Sequence, residues 1–368
     1  MTMPNFSKEQ RALLRELRFN GRLSRASLAH RLELSPTAMT SLSRQLLNLD
    51  VIEEHPDSVE QRRGRPAVPL SLSPKGGYSI GATAHKGMLD IAMVDFVGNL
   101  ITAHREEVPP LTPVEFARKL RRITHQLVET SGLLGRRMLG LGIAVPGPSF
   151  DTSGERWSVV EAMPGWRGAP LKDIFDSELG WPIWLENDAN AAAIAELYCG
   201  GHGADCNTMA VILLGYGIGA GVISRGDLFR GNHGIAGEIG ALFPSDKPRP
   251  SPLDLLNTLQ AAGCTVQSLS EIDPRNTDQA PIIEGWMDRA AKQLKIVCNT
   301  AFAWFDPGVI VLAGTLPQPI FEGLEQRLKA SRLATTIENR KPPITISGLS
   351  GSPVTLGAAL MPIHALGG

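Results

Sequence analysis

The sequence predicts an α/β protein led by a small winged helix-turn-helix, and three observations carry that reading. The first seventy residues hold three capped helical stretches followed by two short strands. From Tyr78 onward, apolar strands alternate with helical stretches, the pattern of an α/β body. Charge divides along the same line: residues 1–75 carry 12 Lys and Arg against 8 Asp and Glu, a balance of +4, and the remainder carries 24 against 29, or −5. The net charge of −1 is therefore a cancellation. A basic segment joined to an acidic body has the charge layout of a nucleic-acid reader fused to another module. With 368 residues, 43% hydrophobic and 20% charged, the chain is too apolar for disorder and long enough for two or three cores.

Each N-terminal element has a local cause. Ser7 followed by Gln10 is a capping-box start, with Leu13, Leu14 and Leu17 as one apolar stripe and Gly21 as the stop. Ser24 caps a second helix carrying Leu28, Ala29 and Leu32. Ser35-Pro36 opens a third, since proline at the first helical position gives up an N–H that the helix cannot use. On that third helix Ala38, Leu42, Leu46 and Leu49 are expected on the buried side. Thr37, Thr40, Ser41 and Arg44 fall opposite, a small, hydroxylated and basic face suited to the major groove. A solvated face of any three-helix bundle has the same spacing. Val51-Ile52 and Val68–Leu72 then read as strands around a tip holding Arg62, Arg63 and Arg65, placed to reach phosphates or a minor groove. The two features together favour binding to double-stranded DNA. Ser73-Pro74-Lys75-Gly76-Gly77 punctuates the chain, and the module is expected to end at residue 75.

In the body, strands are expected over Tyr78–Ala84, Leu89–Val94, Met138–Val145, Ile183–Leu185 and Met209–Leu214, with helices over Leu111–Ser131 and Ala189–Tyr198. Asn187-Asp188 falls at a strand's C-terminal end directly before a helix, where open α/β sheets bind ligands; the same residues are also ordinary helix caps. Glu238 is a carboxylate in a small, apolar stretch and needs a partner. Gly217, Gly219 and Gly221 either close backbone N–H groups on an anion or simply form a glycine-rich hairpin. The four cysteines, Cys199, Cys206, Cys264 and Cys298, include no CxxC pair, which argues against a disulfide scaffold or zinc finger. No apolar run approaches the ~18 residues of a membrane span, and a soluble, cytoplasmic protein with no membrane partner is expected.

Several motifs in order, Val145-Pro146-Gly147, Met163-Pro164-Gly165-Trp166, Glu186–Asn190, Gly217–Gly221, Ala236–Gly240, Phe305-Asp306-Pro307 and Leu356–Ala359, together with the N-terminal module, resemble the ROK family of repressors, open reading frames and sugar kinases. The resemblance spans nearly the whole chain. It implies a two-lobed, actin-like ATPase fold (sugar kinase, ribonuclease H-like) over residues 76–368. Lobe I would cover about 76–188 with the C-terminal helix 354–368, and lobe II about 189–353. It also implies a ligand between the lobes, with Gly147, Asn187, Asp188, Glu238 and Asp254 as candidate effector contacts, and a homodimer or dimer of dimers. Three departures alter the expected chemistry. The family kinases' Asp-x-Gly-Gly-Thr phosphate loop is replaced by Thr83-Ala84-His85-Lys86-Gly87; the zinc-supporting His is Ala241, with no Cys or His from Leu242 to Asp254; and a sugar-contacting Asn is Ala162. Neither a metal nor a cofactor is expected. The sequence therefore reads as a transcriptional regulator, a repressor of carbohydrate uptake or catabolism sensing a sugar-like effector, with no catalytic residues. The alternatives are an ATP-dependent sugar kinase with a DNA-binding appendage and a regulator whose ligand site is vestigial.

Overall fold

The structure is a computed structural model that describes residues 5–55, 68–85, 87–149, 157–159, 163–202, 206–244, 246–333 and 342–367. It opens with α1 (Lys8–Asn20), β1 (Leu23–Ser24), α2 (Arg25–Arg31), α3 (Pro36–Asn48), β2 (Ile52–Glu54) and β3 (Pro69–Leu72). The three caps form as their residues dictate. Ser7 Oγ accepts from Gln10 N while Gln10 Oε1 accepts from Ser7 N; Ser24 and Ser35 each accept from the backbone three residues on. The strands make an antiparallel sheet in the order β1-β3-β2, pairing Ile52 with Leu72 and Leu23 with Leu70. Leu13, Leu17, Leu28, Met39, Leu46 and Leu70 are buried beneath it.

The buried side of α3 differs from the expected one. Met39, Ser43 and Leu46 face the core and Ala38 is exposed. A serine tolerates that position because its hydroxyl is fully used: Ser43 Oγ accepts from Arg25 Nε (3.0 Å) and donates to the Thr40 carbonyl (3.2 Å).

Next come β4 (Tyr78–His85), β5 (Met88–Asp95), β6 (Leu100–Glu107), α4 (Pro113–Thr130), β7 (Met138–Val145), α5 (Leu171–Leu179) and β8 (Ile183–Asn187). Among the described residues these strands form a five-stranded sheet, β6-β5-β4-β7-β8, antiparallel from β6 to β4 and parallel between β4 and β7. Phe116, Trp166 and Phe175 pack edge-on and tilted beside it at 5.2 to 5.9 Å, and Trp166 Nε1 donates to the Leu111 carbonyl (2.8 Å).

Arginines tie the N-terminal elements to this sheet. Arg18 of α1 donates to the Phe96 and Val97 carbonyls (3.1 Å each) and lies over the Phe96 ring at 5.5 Å. Arg137, at the entry to β7, donates to the carbonyls of Leu49 and Gly76 (3.1 and 3.2 Å). The turn that receives Arg18 is itself stapled, as Asp95 Oδ1 accepts from the backbone of Val97, Gly98 and Asn99.

The remaining elements are α6 (Asp188–Cys199), β9 (Thr208–Leu214), β10 (Ile218–Ser224), β11 (Asp227–Leu228), α7 (Pro252–Ala261), α8 (Ala280–Phe305), β12 (Val309–Gly314), α9 (Gln318–Ala330), β13 (Ile344–Ile346) and α10 (Pro353–Gly367). A second five-stranded sheet runs β11-β10-β9-β12-β13, with β9, β12 and β13 parallel. Its strands are buried against α7, α8 and α9 through Leu255, Leu294, Ile310, Leu312 and Leu324. The chain divides into two compact units, Met1–Glu186 with Thr355–Gly368, and Asn187–Val354. Helix α10 returns to the first unit, where Ala359 O accepts from the buried Ser79 hydroxyl. No helix among the described residues is long and apolar enough to cross a membrane.

Candidate functional site

Two regions place polar side chains where they can meet a ligand. The first is the outer face of α3. Thr37, Thr40, Ser41 and Arg44 are all exposed on one side of the helix, opposite buried Met39 and Leu46. Thr40 Oγ1 donates to the Pro36 carbonyl (2.8 Å), which leaves its methyl and an acceptor lone pair outward. Arg25, from α2, braces the base of the helix through Ser43 and an exposed ion pair with Glu54. The predicted tip residues Arg62, Arg63 and Arg65 lie outside the described residues.

The second region is the start of α6. Asn187 ends β8 and caps the helix, its Oδ1 accepting from Ala189 N (2.8 Å) and Asn190 N (3.3 Å). Asp188 follows, and its Oδ1 also accepts from Ala189 N (2.8 Å). The helix behind is buried from Ala189 to Leu197, because alanines let it lie directly on the sheet. A Cβ on Gly221 of β10 would stand 2.6 Å from the Ala189 carbonyl oxygen. This close approach is the use of the second and third glycines of the 217–221 run: Gly219 and Gly221 are strand residues paired with β9, and no helix follows them.

Burial pushes the Asp188 carboxyl up to about 7, against the bond from Ala189, and the charge of Glu238 adds to the rise. Desolvation raises the Glu238 carboxyl as well. Glu238 is held in place by Gly237, whose φ is +92° and whose carbonyl accepts from Ala220 N (2.9 Å). Any side chain at 237 would collide with the Ala220 carbonyl, 1.9 Å from a Cβ. Two carboxyls with raised affinity for protons, one at a helix N-terminus, can each accept from or donate to a hydroxyl.

Two other predicted contacts are placed differently. Asp254 Oδ2 accepts from Trp286 Nε1 (2.8 Å) and Arg289 Nη2 (2.6 Å), so this carboxylate locks α7 onto α8. Gly147 follows β7 in the first unit. The sequence reading overlooked a polar row in that unit's sheet, where Thr83, Asp90 and Arg105 occupy adjacent positions on β4, β5 and β6. Asp90 is buried and paired with Arg105 at 3.2 Å, and Thr83 Oγ1 lies 3.4 Å from His85 Nε2. Burial holds the His85 imidazole below its ordinary value, against the charge of Asp90. A lone Asp inside the apolar run Leu89–Val94 was the available signal, since a buried carboxylate requires a partner.

The sequence profile of the ROK family matches residues 78–362. The chain belongs to the ROK family. Protein y4fQ of Sinorhizobium fredii is 28% identical over 98% of this chain and 92% of its own. The xylose repressor of Caldicellulosiruptor bescii is 29% identical over 62% of this chain and 56% of its own. Among solved structures, a ROK family transcriptional regulator described as a homologue of the E. coli MLC protein superposes with a TM-score of 0.72 at 22% identity, covering 97% of this chain and 96% of its own. A ROK family glucokinase from Streptomyces griseus gives 0.59 at 22% identity over 77% and 98%. These likenesses establish a ROK-type, sugar-kinase-like α/β fold with two sheets. At the position where the resemblance puts a zinc-supporting His, the chain has no metal donor. Ala241 is exposed and offers no donor, and no group of three His, Cys, Asp or Glu able to hold a metal occurs among the described residues.

Proposed function

We propose that this ROK protein is a DNA-binding transcriptional regulator acting in the cytoplasm. In this reading residues 1–75 are a winged helix-turn-helix that reads operator DNA, and the second unit holds a carbohydrate effector. The observation that carries it is the exposed Thr37, Thr40, Ser41 and Arg44 face of α3, in a helical segment that precedes the family match at residue 78. Short hydroxyl side chains let the backbone approach base edges, and Arg44 supplies bidentate donors for guanine. Arg62, Arg63 and Arg65 add phosphate contacts. Asn187, Asp188 and Glu238 are the effector contacts; Asp254 is assigned to packing, and Gly147 to the close approach of the Ser158 carbonyl, 2.2 Å from where a Cβ would stand. Named relatives such as the xylose repressor support repression and a sugar-like effector. Effector binding shifts the population between two states of a homodimer that differ in operator affinity.

The second reading is an ATP-dependent sugar kinase, and one observation favours it: the Asp188 carboxyl, pushed up to about 7, would suit a general base for a sugar hydroxyl. Against it, Thr83 offers a neutral, buried hydroxyl where an Asp would organise Mg²⁺ and phosphate. Two assays decide. Selection from random double-stranded DNA should enrich one palindromic site bound by the full chain, and ATP with a panel of hexoses and amino sugars should give no phosphoryl transfer. Turnover abolished by Asp188→Asn, with no DNA enriched, would establish the kinase.

A further inference from the structure

Helix α6 carries a carboxyl that neither its cap nor the effector contacts use. Glu196 is 0% exposed, and neither of its carboxyl oxygens has a hydrogen-bond partner among the described residues. The carboxyl is folded back over the end of its own helix. A Cβ on Gly200, whose N–H donates to the Glu196 carbonyl (2.9 Å), would stand 2.2 Å from Glu196 Oε2. Burial pushes this carboxyl up and the neighbouring Ser347 hydroxyl pulls against the rise, with no charged group near enough to contribute. An unpaired carboxylate is costly in such a place. Protonation removes the charge, but it leaves an O–H without an acceptor and a carbonyl oxygen without a donor.

The sheet under α6 supplies further oxygens. Gly221, on which the helix lies, belongs to a row that continues through Val211 and Val311 to Thr345. Thr345 therefore faces the α6 side, while Ile344 and Ile346 turn to the core under α8 and α9. Its Oγ1 is buried and also lacks a hydrogen-bond partner among the described residues. Ser347 extends the ladder through its N–H to the Leu312 carbonyl (2.8 Å), which turns its hydroxyl to the same side. That hydroxyl accepts from Leu349 N (3.3 Å) and retains a second lone pair. We propose that Glu196, Thr345 and Ser347 form a site for a monovalent cation, sodium or potassium, between α6 and the edge strand β13. One carboxylate with neutral hydroxyls balances a single positive charge. A divalent ion would keep an excess charge among buried atoms and calls for more carboxylates.

Glu196 lies two turns along α6 from Asp188, roughly 12 Å at the rise of an α-helix. A cation there pins the far end of the helix whose start carries Asn187 and Asp188. The test is thermal unfolding of the full chain at constant ionic strength, with sodium chloride or potassium chloride replacing choline chloride in separate titrations. Sodium or potassium should raise the midpoint by at least about 3 °C, and the rise should saturate as a single site fills. Glu196→Gln keeps the shape and removes the charge, so it should abolish the rise. Thr345→Val keeps the strand and removes one oxygen, so in a chain that folds normally it should raise the half-saturating concentration at least tenfold. A midpoint indifferent to both ions would overturn the inference, and so would a rise that survives unchanged in Thr345→Val or Glu196→Gln. A midpoint that climbs on acidification with no response to either ion would make Glu196 a protonated acid and overturn it equally.

Discussion

Helices α3 and α6 begin in the same way and end up with opposite chemistry. Each starts on a side-chain cap that accepts from backbone N–H groups, Ser35 for one and Asn187 for the other. Polar residues stand in the first turns of both. What separates them is how much of the helix is buried behind the cap. On α3 only Met39, Ser43 and Leu46 are buried, so the hydroxyls and Arg44 remain hydrated and present a convex face. On α6 everything from Ala189 to Leu197 is buried, so half-buried Asp188 loses part of its water and its carboxyl holds its proton to higher pH. The first arrangement suits a polyanion that is read from outside. The second suits a small ligand whose hydroxyls replace the missing water.

The largest expected effect tests the buried half of that contrast. The Asp188 carboxyl rises from an ordinary 3.8 to about 7 on folding. Between those values the native chain holds a proton that the unfolded chain has lost, so stability falls as pH climbs through this window and the loss is complete above it. Asp188→Asn should therefore stabilise the chain by roughly 2 kcal/mol at slightly alkaline pH, with the gain vanishing toward about pH 4. Urea unfolding at the two pH values measures it, and an equal gain at both would mean that Asp188 is as hydrated as the residues of α3.

Arg44→Ala probes the exposed half. It should cost about tenfold in affinity for the selected site while leaving non-specific binding and stability unchanged, as read by anisotropy and thermal unfolding. A uniform loss on all sequences would make Arg44 a phosphate contact. Next in size, Ser35→Ala and Asn187→Ala should each destabilise by about 1 kcal/mol, because both caps make the same type of bond. A much larger cost at Asn187, measured by denaturation, would show that burial adds to the cap. Thr40→Ala should be the smallest effect, within about 0.5 kcal/mol, since its hydroxyl is returned to its own helix at Pro36.

Elements built on local signals were legible from the residues alone. The caps at Ser7, Ser24 and Ser35, the strand Met138–Val145 and the helix after Asn187 all follow from neighbours a few positions away. Strand β6 was not legible, because Leu100–Glu107 is an edge strand whose four exposed residues, Leu100, Ala103, Arg105 and Glu107, mix apolar with charged side chains. Helix α7 was missed although Ser251-Pro252 repeats the Ser35-Pro36 start; the preceding run of prolines obscured it. The rotation of α3 depended on Arg25 reaching Ser43, and the engagement of Asp254 on Trp286 and Arg289 more than thirty residues away. Partners so distant leave no periodic trace. At the candidate site the residue types at 187, 188 and 238 could be read, but the difference between a hydrated and a dehydrated carboxylate is a property of the packed fold.

The arginine contacts of the first unit have a mechanical consequence. Arg18 and Arg137 grip main-chain carbonyls on both sides of residue 75, at Leu49, Gly76, Phe96 and Val97. Bonds to backbone oxygen survive a change of side chain in the gripped turn, so the grip is indifferent to drift in that loop. In solution helices α1, α2 and α3 should tumble with the slow rotational correlation time of the whole first unit, and not as a small bead on a tether. A twist of the sheet then reaches α3 without slack, as torque through a stiff joint.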